Sequence, residues 1–226
     1  MNKFWNLKQS DICQDTLELY IYSTVEPDNF RKSETSANRF RELLTMNSEA
    51  KEIKIYINSL GGSVMEGIAI YNQLKRHAAH KTVYIDGFAC SIASVIAMAG
   101  DTVIMPKNAV MMIHNAWTIA LGNAAELRKA ADDLDVVNNA SRQAYLEKAG
   151  DKLTEEKLTE LLDAETYLSA GQCMELGLAD CFAEQEKPDS RSEREQQLSA
   201  AMQERMRQEL EQRRAKAAAC ISRYFK

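Results

Sequence analysis

Between Ile53 and Gly100 the chain alternates two kinds of stretch. Ile53–Ile57 and Thr82–Ile85 are short, largely apolar runs of strand length, rich in β-branched residues. Each runs towards glycine, Gly61-Gly62 in one case and Gly87 in the other, and each glycine predicts a turn. A helical segment should open after each turn. The first, Val64–Arg76, carries Ile68, Tyr71 and Leu74 on one face. The second, Ser91–Ala99, is built of small residues, with Ala89, Ala93, Ala97 and Ala99 placed for close packing. Strand, turn and helix used twice in succession predict an α/β fold with a parallel sheet.

The same pattern extends to both sides. Leu17–Tyr22 alternates and is aromatic-rich, a first strand closed by Pro27 and Asp28. Ser36–Met46 has Phe40, Leu43 and Leu44 at helical spacing. Thr102–Met105 and Ala109–Ile113 read as two short strands around a Pro106-Lys107-Asn108 turn. Ala124–Lys148 is a long helical pattern with Leu127, Leu134, Val137 and Tyr145 among charges. Leu153–Leu162 is a further helix, started by Thr154. Thr166–Ser169 should be extended, Ala170–Leu176 helical and stopped by Gly177, and Leu178–Phe182 should return to the sheet.

Composition changes this picture at the ends. The division expected is a lead-in over 1–16, one folded domain over 17–186 and a charged extension over 187–226. Pro188 lies in the polar linker that starts the extension. Leu198, Met202, Met206 and Leu210 then recur every fourth residue, a helical stripe too thin to be stable alone. The extension reads as a surface segment, helical or partly disordered, or as an assembly or self-cleaved piece. Its forty residues hold ten basic and six acidic side chains; the remainder holds eighteen basic and twenty-seven acidic. An acidic body argues against nucleic-acid binding. No apolar run approaches the ~20 residues that span a bilayer, and the first residues lack a signal peptide's apolar core. Five cysteines without regular spacing argue against a disulfide framework. No motif calls for a metal or an organic cofactor. The expected compartment is a reducing cytoplasm.

The candidate chemistry lies at the second strand–turn–helix junction. Serine at a helix start is ordinarily an N-cap. Ser91, however, follows a buried strand at the positive end of a helix dipole, a rigid place for a reacting group. The chain has three histidines, and His114 ends an apolar strand. A base there, near a helix-start serine, is what acyl transfer requires. Cys90 is a rival nucleophile, since a thiolate with His114 as partner would also serve. His77 and His80 read as exposed helix-end residues near Lys75 and Arg76.

Four pieces of the chain resemble the Clp protease family of serine peptidases, in that family's order. They are Tyr56–Leu74, Asp86–Asp101, Met111–Trp117 and Glu165–Asp180, and the resemblance runs from Leu17 to Ala183. It is strongest to the branch that matures phage heads. The resemblance implies a crotonase-like fold of repeated β-β-α units with a projecting handle helix, here Ala124–Lys148. It implies a ring-shaped homo-oligomer, of seven subunits or a double ring, that hydrolyses polypeptides through a Ser-His-acid triad. Its register places Ser91 as nucleophile, His114 as base, and the N–H groups of Gly62 and Ile92 in the oxyanion hole. The family's acid position falls on Glu165, with Asp163 as alternative, because residues two apart in an extended segment share a side. Leu60 and Ala116 stand where the family has proline. The segment Thr118–Asn123 would edge a groove where a peptide adds as a strand.

The branch implies cleavage of scaffold or capsid proteins in the cytoplasm of an infected bacterium, or in the prohead, without nucleotide. Three other readings stay open. One is a housekeeping Clp proteolytic subunit fed by an ATP-driven unfoldase. Another is an acyl-CoA enzyme of the crotonase fold. The third is a non-catalytic structural subunit of the prohead.

Overall fold

The computed structural model describes residues 15–28 and 33–183. Of the expected lead-in over 1–16, residues 1–14 lie outside the described residues, while Thr16 already opens the first strand; the expected extension over 187–226, with its Leu198–Leu210 stripe, lies outside them as well. Among the described residues six α-helices, one 3-10 turn (Gly150–Lys152) after the fourth of them, and seven strands follow in chain order. They are β1 (Thr16–Ile21), α1 (Ala37–Met46), β2 (Glu52–Ser59), α2 (Val64–Arg76), β3 (His80–Cys90), α3 (Ile92–Ala97), β4 (Thr102–Met105), β5 (Val110–Ile113), α4 (Ala124–Ala149), α5 (Glu155–Asp163), β6 (Thr166–Ser169), α6 (Ala170–Glu175) and β7 (Cys181–Phe182).

The sheet runs β1-β2-β3-β4-β7, with every pair along this path parallel. Alternation decides its faces. Ile53, Ile55 and Ile57 of β2 are completely buried, as are Ile21, Val83 and Ile85 on the neighbouring strands. Phe40, Leu43 and Leu44 of α1, and Ile70 and Leu74 of α2, join the same core. Burying a side chain of this size contributes about 1.5–3 kcal/mol. On the other face Tyr20 stacks on Tyr56 and Tyr56 on Tyr84, with ring centres 4.8 and 5.1 Å apart.

One expectation needs correcting. Gly87 does not end the strand. β3 continues to Cys90, and its register against β2 slips between Ile57 and Ser59, so that Ile57 faces Ile85 and Ser59 faces Ala89. Asn58 lies over the slip, and its Oδ1 accepts the Phe88 N–H at 3.1 Å. A side-chain carbon on Gly87 would sit 2.7 Å from that same oxygen. Glycine is there to let the Asn58 side chain cross, not to turn the chain. The continued strand pairs with β4 through Thr82–Tyr84 and with β5 through Phe88–Cys90, both parallel. The Pro106 turn therefore joins two successive neighbours of one strand rather than a hairpin. β5 then pairs antiparallel with β6.

His80 likewise is not at a helix end: it is the first residue of β3, with Nδ1 3.7 Å from an Asp101 carboxylate oxygen. His77 is half-buried at the C-cap of α2, and its Nδ1 accepts the Ala79 N–H. α4 is longer than any other described helix. Asn123 and Glu126 close a capping box at its start. Its first half is exposed and its second half is anchored by Ala144, Tyr145 and Ala149, which are buried. Among the described residues no helix is long and apolar enough to cross a membrane.

Candidate active site

Ser91 is the residue between β3 and α3. Its backbone lies in the left-handed region, with φ of 54°. A non-glycine residue held there is strained and persists only where its surroundings fix it. They do so here: the Ser91 N–H donates to the Met112 carbonyl at 2.8 Å, and the Ser91 carbonyl accepts the Ser94 N–H at 2.9 Å. Its side chain makes no capping hydrogen bond to α3. The ordinary use of serine at a helix start is thus not the one found. Instead Oγ lies 2.8 Å from Nε2 of His114.

His114 follows β5 directly, so the strand that pairs with Phe88–Cys90 delivers it beside Ser91. The next residues are held from α4 and from the end of α5. Asn138, buried in the anchored half of that helix, accepts the Ala116 N–H through its Oδ1 at 2.7 Å. Asn115 donates to Asp163 at 2.7 Å.

The Gly61-Gly62 turn packs against the serine. Val25 N–H donates to the Gly61 carbonyl at 2.8 Å, and Ser63 N–H donates to the Val25 carbonyl at 2.7 Å. Ser59 Oγ accepts the Gly61 N–H. The Gly62 N–H takes no part in this set. Both glycines have positive φ, 101° and 147°. A side-chain carbon on Gly61 would lie 2.7 Å from Ser91 Cβ and 2.8 Å from the Cys90 carbonyl oxygen; one on Gly62 would lie 2.1 Å from the Val25 carbonyl oxygen. Only glycine allows so close an approach. The Ile92 N–H is the first of α3, one of the donors that a helix leaves unpaired at its start.

These parts wall a pocket of about 370 Å³. Ser91 and His114 lie on it with Gly61 and Gly62, and Thr24, Leu60, Val64, Ala116 and Trp117 complete the lining. No lining residue other than His114 is ionisable. Trp117, Ile119 and Leu121 continue from it as exposed apolar residues at alternate positions.

The two candidate acids are not brought to the histidine. Among the described residues no carboxylate lies within hydrogen-bond or ion-pair reach of His114. Asp163 is engaged by Asn115. Glu165 is exposed, with a backbone φ of 48°. The rival nucleophile is also placed apart: Cys90 is buried and burial pushes its thiol pKa up, against thiolate formation. Asn115, Asn138 and Ser94, all close to the site, went unnoticed in the sequence, and Tyr145 was read only as an apolar position of the long helix. No local spacing marks the roles of Asn115, Asn138 and Tyr145, because their partners are 48, 22 and 51 residues away along the chain.

With this geometry in place, likeness to known proteins is informative. Residues 15–186 match the family model described as Clp protease. An ATP-dependent Clp protease proteolytic subunit of Chlorella vulgaris is 31% identical over 146 residues, which cover 62% of this chain and 71% of the relative. The protein of the same description from Oltmannsiellopsis viridis is 31% identical over 147 residues, covering 62% and 73%.

Proposed function

The chain belongs to the Clp protease family, and from that premise we propose that it is a serine endopeptidase working through Ser91 and His114. The observation that carries this reading is the 2.8 Å hydrogen bond between His114 Nε2 and a Ser91 Oγ that caps nothing. Ser91 Oγ attacks the scissile carbonyl while His114 takes its proton at Nε2. The developing oxyanion is held by the N–H groups of Gly62 and Ile92. His114 then passes the proton to the leaving amine, and an acyl-serine remains. Water, deprotonated by His114, releases the acid product. Glu165 is the acid that orients His114, with Asp163 as alternative. Asp163 is already held by Asn115, whereas Glu165 is exposed and one methylene longer.

The assembly is a homo-oligomeric ring, of seven subunits or a double ring, with α4 as the handle between rings. The substrate is a scaffold or capsid polypeptide of a phage head. This role rests on the resemblance of Met111–Trp117 to the head-maturation branch and on the charged extension from 187. A second reading is favoured by the relatives, both described as proteolytic subunits of an ATP-dependent protease: a housekeeping subunit that receives substrate from an unfoldase.

The experiment uses the purified full chain with an unfolded polypeptide. Cleavage without nucleotide, lost in His114→Ala, is expected. Cleavage only after an unfoldase and ATP are added would select the second reading. Undiminished cleavage by His114→Ala would remove the serine-peptidase mechanism itself.

A further inference from the structure

Beneath Ser91 lies a buried pair of hydroxyls that the mechanism above does not use. Ser94, on the first turn of α3, is completely buried. Its Oγ lies 2.5 Å from the Ser91 carbonyl oxygen and 2.6 Å from the phenol oxygen of Tyr145, which reaches across from α4. A third oxygen, the Met112 carbonyl, is 3.4 Å away. Tyr145 is itself buried, and burial raises its pKa, so the phenol keeps its proton.

The direction of these bonds follows from proton counting. A carbonyl oxygen only accepts, and Ser94 Oγ has one proton. The short contact to the Ser91 carbonyl uses that proton. The contact with Tyr145 therefore needs the phenol's proton, and Tyr145 donates to Ser94. The Ser91 carbonyl ends up held by two donors of one residue, the N–H and the Oγ–H of Ser94.

That carbonyl shares a peptide unit with the Ile92 N–H. In a trans peptide the two point in opposite directions, and among the described residues there is no cis bond. Holding the carbonyl from below fixes where the N–H points above. The Gly61 turn lies close to that nitrogen: a carbon on Gly61 would be 3.3 Å from it. Donors on the carbonyl also polarise the N–H of the same unit and make it a stronger donor in turn.

We propose that Ser94 and Tyr145 are positioning residues that aim the Ile92 N–H at the oxyanion by clamping the carbonyl on the far side of its peptide unit. The inference rests on the Ser91 reading. It explains why hydroxyls occupy a site that alanine and phenylalanine would fill without polar atoms. It also ties the anchored half of α4 to the strained turn at Ser91.

The test compares wild type, Ser94→Ala, Tyr145→Phe and the double variant on a peptide substrate. A peptide aldehyde, which adds to Ser91 and places an oxyanion in the hole, and the corresponding peptide alcohol, which forms no adduct, are measured as inhibitors. Ser94→Ala should lower kcat about 10–100-fold and leave KM within about twofold. It should weaken the aldehyde by the same factor as kcat and leave the alcohol unchanged. Tyr145→Phe should lose about threefold in kcat and in aldehyde affinity, because Ser94 keeps its own bond. The double variant should be no worse than Ser94→Ala, since the two act in series. Wild-type kcat and aldehyde affinity in Ser94→Ala would overturn the proposal, as would an equal weakening of aldehyde and alcohol. If Ser94→Ala does not fold, the aldehyde-to-alcohol ratio of Tyr145→Phe decides in the same way. Ser91→Ala separates the two levels. Activity in Ser91→Ala removes the serine reading. Its inactivity, beside unchanged inhibitor ratios in the other variants, removes the positioning role alone.

Discussion

At the level of single residues, the site depends on atoms that are absent as much as on those present. Gly61 meets Ser91 and Cys90 at distances no side-chain carbon tolerates, in a backbone region that L residues rarely enter. Gly61→Ala should therefore lower kcat/KM by roughly two orders of magnitude, with a lower Tm, because either the turn or Ser91 must move. Steady-state kinetics and thermal unfolding on one preparation check both. Ser91 and His114 were legible as candidates because a helix-start serine after a buried strand and a histidine ending another strand are local patterns. The third member was not legible in the same way. It depends on where a side chain swings after α5, and the register alone leaves Glu165 and Asp163 open. Glu165→Gln should lower kcat far more than it raises KM, since the acid's task is to hold the imidazole tautomer and stabilise the imidazolium. Asp163→Asn, which keeps an acceptor for Asn115, should change kcat less. A large loss confined to Asp163→Asn would reverse the assignment.

Among elements, apolar periodicity marked β1, β2, α1, α2 and α4 to within a few residues, because each buries one face, whereas α3, buried on every side, was read from its small residues after a turn. β3 was cut short at Gly87 for a physical reason. The residue that needs glycine there is Asn58, which lies on another strand, and no reading of neighbours along the chain can find it. The anchored half of α4 holds Glu147, whose carboxylate lies 2.7 Å from Lys75 Nζ and accepts from the Tyr71 hydroxyl at 3.0 Å, both on α2. The Lys75 hydrogen bond, against some desolvation and with help from Tyr71, holds Glu147 below its ordinary value of 4.5. A depressed folded value stabilises the fold fully above about pH 4.5 and is lost as pH falls through the folded value. Glu147 is more than half exposed, so the contribution is below about 1 kcal/mol. Glu147→Gln should accordingly unfold at slightly lower temperature at pH 7, and the difference should vanish in acid. A difference that grows in acid would contradict the sign. The exposed half of α4 carries Leu127, and Leu134 lies half-buried further along it. If α4 is the handle that stacks two rings, as proposed above, replacing both by glutamate should split double rings into single rings at unchanged Tm, as read by light scattering and calorimetry.

For the molecule as a whole, the α/β class and the parallel pairing of the main sheet follow from one repeated strand–turn–helix pattern and from a family resemblance that the family match supports. What could not be read from the chain is long-range: the register slip in β3, the contacts of α4 with the residues after His114, and the hydroxyls under Ser91. All join segments more than twenty residues apart or residues whose spacing signals nothing by itself. The central claim is that Ser91, and not its neighbour Cys90, forms the covalent intermediate. Its most direct test is labelling of the full chain with a fluorophosphonate, followed by mass mapping of the adduct, in wild type, Cys90→Ala and Ser91→Ala. A single adduct on Ser91 is expected, retained in Cys90→Ala and absent from Ser91→Ala together with peptide hydrolysis. Labelling and hydrolysis that survive in Ser91→Ala and disappear in Cys90→Ala would contradict it.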